Sequence, residues 1–133
     1  MHLGIDEASG EIIASVVTTN NFGDGEILPD LLEQIDSPLS QASGDGAYDS
    51  FENYELLSRR GAKITIPPRE NAKIHQHGNC KALPLVRDEL IRAIRKLGRA
   101  EWKRQSGYHR RSLAETTMFR CFATLAMTDD FWR

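Results

Sequence analysis

The first 58 residues contain no lysine and no arginine. They hold twelve of the nineteen acidic residues, while residues 59–133 hold the other seven and all seventeen Lys and Arg. The two parts therefore carry formal charges of −12 and +10, hidden behind a net charge of −2. Either the C-terminal part faces a polyanion, or the two parts are complementary faces of one domain. Charge alone favours nucleic acid as the partner. Cysteine is scarce: Cys80 and Cys121 lie far apart and form no CxxC pattern. That argues against a disulfide framework and makes a reducing cytoplasm the expected location. No apolar run reaches membrane-spanning length and no signal peptide opens the chain, so no membrane association is expected. Internal repeats and low-complexity segments are absent too. What is present is ordinary for one soluble globular domain: 133 residues, 40% hydrophobic and 27% charged.

The order of expected elements is mixed α/β. Residues 2–6 and 12–18 read as a hairpin around Ala8-Ser9-Gly10. Asp24 is placed to cap a helix carrying Ile27, Leu28, Leu31, Leu32 and Ile35, with Pro29 in its first turn. A weak strand around residues 39–43 leads into Gly44-Asp45-Gly46-Ala47-Tyr48-Asp49. Ser50 caps a second helix with Phe51, Tyr54 and Leu57 inward and Gly61 at its end. Residues 63–66 form a short strand stopped by Pro67-Pro68, and residues 69–84 read as loop. A basic helix over about 85–97 buries Val86, Leu90, Ile94 and Leu97. The last helix begins near His109.

The run Gly107-Tyr108-His109-Arg110-Arg111-Ser112-Leu113-Ala114-Glu115-Thr116 carries most of the functional information. Tyr108, Arg111 and Glu115 are three and four residues apart, a spacing that stacks them on one helical face. An arginine can hold a phosphate bidentately, a tyrosine can position it, and a carboxylate can ligate a hard cation beside it. The spacing alone also fits a surface Glu–Arg pair worth roughly 0.2–0.5 kcal/mol. Asp45 follows a strand, at the rim where α/β sheets bind ligands, and its flanking glycines permit close approach. Locally it also fits an ordinary Asp-Gly turn. His75, His77 and Cys80 are metal-ligand types close together in one loop, but no fourth ligand is evident. Trp102-Lys103-Arg104 fits either a nucleic-acid surface or a core tryptophan with solvated neighbours.

The Gly107–Thr116 run resembles the signature of bacterial insertion-sequence transposases of the DDE class: Tyr, two residues, Arg, three residues, Glu, six residues, Lys. Gly-Asp-Gly-Ala-Tyr-Asp and Pro67-Pro68-Arg69 are similar to other segments of that family. The resemblance implies a ribonuclease-H-like mixed sheet with flanking helices, its strands ordered three, two, one, four, five. It implies that Asp45 and Glu115 are two of three catalytic carboxylates holding Mg²⁺ or Mn²⁺ for phosphodiester hydrolysis and strand transfer. It further implies that Tyr108, Arg111, His109, Arg110 and Lys103 position DNA; Arg69, just past the prolines, is read as a candidate phosphate contact. The partners implied are insertion-element ends and another transposase chain, either a second copy of this one or a full-length enzyme.

Two departures qualify this. Candidates exist for strands two to five but not for the central first strand, which bears the first catalytic Asp; Asp6 lies on the segment matching strand two and is read as a strand-end or turn residue. Where the family has Lys, this sequence has Phe122, and residues 121–133 no longer resemble it. The expectation is thus a partial catalytic domain over 1–120 with a divergent tail. It would be an inactive fragment with weakened metal binding, acting at most as a DNA-binding or transposase-binding remnant of inhibitory type. The alternative is a stand-alone ribonuclease-H-like nuclease that uses Asp6.

Overall fold

Alternation of apolar and polar residues makes His2–Ile5 (β1) and Ile12–Val16 (β2) an antiparallel hairpin. Its turn is closed by Asp6, whose carboxylate accepts from the Ala8 amide at 3.1 Å and the Ser9 hydroxyl at 2.9 Å. Asp6 is thus a turn residue directly after β1. This computed structural model describes residues 1–19, 21–78 and 81–118. After the hairpin come Leu28–Glu33 (α1), Gln41–Ser43 (β3), Phe51–Arg59 (α2) and Lys63–Thr65 (β4). Val86–Leu97 (α3) and Arg99–Ser106 (α4) complete the regular elements, with short 3-10 turns at Asp24–Glu26, Gly46–Tyr48 and Tyr108–Arg111. Residues 112–118 are helical.

The architecture is mixed α/β, as expected, with one difference in its sheet. β1 and β2 form one two-stranded antiparallel sheet, and β3 and β4 form a separate two-stranded parallel sheet. Helices α1 and α2 join them. Ala14 of the hairpin, Ile27, Leu31, Leu32 and Ile35 at α1, Tyr54 and Leu57 of α2, and Ile64 and Ile66 at β4 make one buried cluster. Parallel strands need a crossover, and α2 supplies it between β3 and β4. The side-chain amide of Gln34 covers part of the β2 edge: it accepts from Ser15 N at 3.0 Å and donates to Ser15 O at 2.9 Å. No strand pairs with the outer edges of β1 and β3 among the described residues.

Helix ends follow local chemistry. Ser50 caps α2 by accepting from Asn53 N at 3.2 Å, as the sequence indicates. Helix α1 starts later than expected: Ile27 is its N-cap and no side chain caps it, while Asp24 lies in the preceding 3-10 turn. Arg60 fastens the end of α1 and the segment after it, donating to Leu32 O at 3.1 Å, Ile35 O at 2.5 Å and Ser37 O at 3.2 Å. Phe51 is exposed rather than inward. Helix α3 is rolled from the expected face: Asp88 and Ile91 are buried, Leu90 packs on the core, and Val86 and Leu97 are exposed. The cause is Asp88, which turns inward to accept from the amides of His75 at 2.9 Å and Gln76 at 2.7 Å.

Two outcomes follow. Arg60→Ala leaves three carbonyls without their charged donor and should cost about 2 kcal/mol in urea unfolding; an unchanged midpoint would contradict the capping role. The open β1 and β3 edges should give concentration-dependent association in light scattering, and a monodisperse monomer across the concentration range would contradict it.

Candidate functional site

Gly107 ends α4 in the left-handed region at φ +76°, which glycine adopts without a side-chain penalty. The chain then makes the 3-10 turn Tyr108–Arg111 before entering the helical residues 112–118. The signature residues therefore do not share one uninterrupted helix. The turn nonetheless brings them together. Tyr108 is buried, with its ring centre 6.5 Å from that of the buried Trp102. The Arg111 guanidinium carbon stands 4.9 Å from the Tyr108 ring centre, and Lys103 Nζ stands 4.8 Å from it. Each such contact contributes about 0.5–2 kcal/mol, more where water is excluded. Arg111 also donates to the exposed Glu115 carboxylate one helical turn on.

Arg111 is held at some cost. Its Nε is buried and has no hydrogen-bond partner among the described residues. Burial disfavours its charge, but the hydrogen bond to Glu115 and the nearby Tyr108 outweigh this and raise its pKa above the usual arginine value. His109 and Arg110 are exposed. The His109 ring lies 5.8 Å from Tyr108, and Arg110 reaches Glu7 of the hairpin turn at 3.3 Å.

Asp45 comes from the other side of the fold. It lies two residues after β3, where it is exposed and caps the Gly46–Tyr48 turn by accepting from Ala47 N at 3.0 Å. At Gly44, a Cβ would stand only 3.0 Å from the Tyr48 ring, so the missing side chain there serves internal packing. The Tyr108–Arg111 turn packs against β3. Gln41 on β3 fastens the contact by donating to Ser106 O at 3.1 Å and Thr65 Oγ1 at 2.7 Å. The elements that carry Asp45 and Arg111 are thus neighbours. Among the described residues no group of three or more His, Cys, Asp or Glu is arranged to hold a metal ion. That covers His75 and His77; Cys80 lies outside the described residues, as does Phe122. His75 instead packs edge-on against Phe51, ring centres 5.4 Å apart. Trp102 is core, on a helix the sequence reading did not anticipate.

The residues that sequence reasoning missed are buried acids. Asp49 closes the loop that Asp45 opens. Its carboxylate accepts from Arg87 Nε at 2.8 Å, Arg87 Nη2 at 3.2 Å and Arg69 N at 3.0 Å. Its side chain is 1% exposed and that of Arg87 13%. Burial alone would raise the Asp49 pKa, but the hydrogen bonds from Arg87 and Arg69 overcome it and hold it below the usual 3.8. The same balance of burial against the His75 and Gln76 amides lowers that of Asp88. Asn53 is also buried, donating to Gly25 O at 2.8 Å and Tyr48 O at 3.1 Å. The sequence signal available was the Asp in Ala47-Tyr48-Asp49, one residue from a helix cap.

Asp49→Ala should therefore destabilise the chain by about 3 kcal/mol, because it leaves a buried guanidinium unpaired. Both acids have folded pKa values below their unfolded ones. Their stabilisation is complete above the ordinary carboxylate pKa and is lost as pH falls through the folded value. Urea midpoints should fall with acidification below about pH 4, and less steeply in Asp49→Asn; equal slopes would contradict this assignment.

No solved structure matches the chain. The family model described as the transposase DDE domain matches residues 1–125, one continuous span. It includes the hairpin, the strand before Asp45, the Asp49–Arg87 junction and the turn that holds Tyr108 and Arg111. With nearly the whole sequence inside that match, the chain belongs to the transposase DDE domain family.

Proposed function

We propose that this chain is a DNA-binding segment of a transposase catalytic domain that does not cut or join DNA by itself. In this reading Asp45 and Glu115 are two of the three carboxylates of a Mg²⁺ or Mn²⁺ site. Arg111 and Tyr108 hold a DNA phosphate beside them, and Lys103, His109 and Arg110 line the approach. The single observation that carries it is the placement of Arg111. A guanidinium fixed between a buried tyrosine and a carboxylate, with one buried donor unused among the described residues, is costly for stability and suited to anion binding. Family membership gives that arrangement its meaning.

Charge supports the DNA reading. Among the described residues, two ion pairs between separate elements join the acidic and basic parts, Arg87–Asp49 and Arg110–Glu7. Arg59–Glu55, Arg92–Glu89, Arg104–Glu101 and Arg111–Glu115 are local pairs three or four residues apart. Mutual neutralisation therefore does not account for most of the C-terminal cations, and a phosphate backbone would.

The sheet topology is compatible with a ribonuclease-H-like order. An antiparallel pair and a parallel pair flank the same core, and a strand between β1 and β3 would unite them. Such a strand is where the family resemblance puts the first carboxylate. The described residues do not by themselves fit a two-metal site, since no three of their acidic, His or Cys side chains are gathered in one place. The Asp6 carboxylate is engaged in its own turn, which weighs against a stand-alone nuclease.

With Mg²⁺ or Mn²⁺ and supercoiled DNA carrying insertion-element ends, the purified chain should bind but leave the DNA intact. Metal-dependent nicking abolished by Asp45→Ala would overturn the non-catalytic reading while upholding the role of Asp45.

A further inference from the structure

Ten arginines lie among the described residues. Seven have a carboxylate or carbonyl partner: Arg59, Arg60, Arg87, Arg92, Arg104, Arg110 and Arg111. The guanidinium groups of the other three, Arg69, Arg95 and Arg99, make no hydrogen bond or ion pair among the described residues. These three line one shallow cavity of about 90 Å³. They reach it from three elements: the segment after β4, the last turn of α3 and the first residue of α4. Its floor is apolar, made by Pro68, Ile91 and Ile94, and Glu70 is the one carboxylate on its wall.

We propose that this cavity binds a backbone phosphate of duplex DNA, at a place distinct from the Tyr108–Arg111–Glu115 group. The inference rests on the DNA-binding reading above and adds a second point of contact to it. Three like charges around one cavity repel each other, and an anion seated between them reverses that cost. The apolar floor strengthens the attraction by thinning the water behind the ligand. Helix α4 begins at this wall with no side-chain cap, so its first amides add partial positive charge. The cavity is also held in shape. Arg69 N donates to the buried Asp49, and Arg69 O accepts from Ala72 N at 2.9 Å. The planar forks of arginine match phosphate oxygens, and a shallow open site admits a group that belongs to a polymer.

The test uses the purified full chain, a fluorescein-labelled short duplex and anisotropy titrations across salt concentrations. Arg95→Gln with Arg99→Gln should weaken binding about tenfold and reduce the slope of log affinity against log salt by about 1, the loss of one phosphate contact. Arg95→Lys with Arg99→Lys should restore the slope by restoring the charge. Thermal melts of both double variants should match the unaltered chain, because neither arginine is engaged in the fold. Unchanged affinity and slope in the Gln pair, with the parent chain still binding, would remove the pocket and leave the DNA-binding reading intact. Loss of inorganic phosphate binding in the Gln pair without loss of duplex binding would also overturn the proposal, since the pocket would then serve a free anion. A parent chain that binds no duplex would overturn both readings together.

Discussion

A single buried carboxylate fixes how the Asp45 loop lies against the C-terminal helices. Asp49 receives three hydrogen bonds, two from the Arg87 guanidinium and one from the Arg69 backbone. It thereby ties the end of the Asp45 loop to the segment after β4 and to the first turn of α3. From α3 the chain runs directly into α4 and the Tyr108–Arg111 turn, and Gln41 closes the circuit back to β3. Without that circuit the two chemistry-bearing segments would be independent surface features. A buried ion pair is weak evidence for stability, because desolvation opposes the attraction. Its use in this chain is positional: it specifies how the basic segment lies against the acidic one.

The charge split takes on a structural meaning in that light. The acidic and basic parts are neither two domains nor two fully complementary faces. They share one core and are joined by a few specific contacts, of which Arg87–Asp49 is buried and Arg110–Glu7 is exposed and so weak. Most of the remaining basic residues are balanced locally within helices or left facing solvent. A surface of that kind contributes little to the stability of the fold.

What could be read from the sequence was local. The hairpin, the Ser50 cap and the β4 strand follow from alternation, side-chain capping and proline punctuation over a few residues. The signature run was legible because it resembles the family over ten consecutive positions, whereas its spacing alone fits a surface Glu–Arg pair. Helix α4 was not legible: Arg99–Ser106 is almost wholly polar and presents no apolar stripe to betray it. Asp49 and Asp88 were missed because an aspartate is read as a surface residue unless its partner is known, and their partners lie 38 and 13 residues away in sequence. The burial of Asp88 in turn rolled α3 away from its expected face. The division of the sheet into an antiparallel pair and a parallel pair was not legible either, because pairing between distant strands leaves no local signal in the sequence.

The central claim is that Asp45 and Glu115 act on one place, although they lie 70 residues apart in sequence. Titration of Mn²⁺ into isotopically labelled protein tests it most directly, because paramagnetic broadening reports proximity without requiring activity. The account predicts that amide signals of residues 45–47 and 111–115 broaden together, at the same metal concentration and before those of other exposed acids. Broadening of one segment without the other, or first at acids elsewhere such as Glu55 or Glu89, would contradict it.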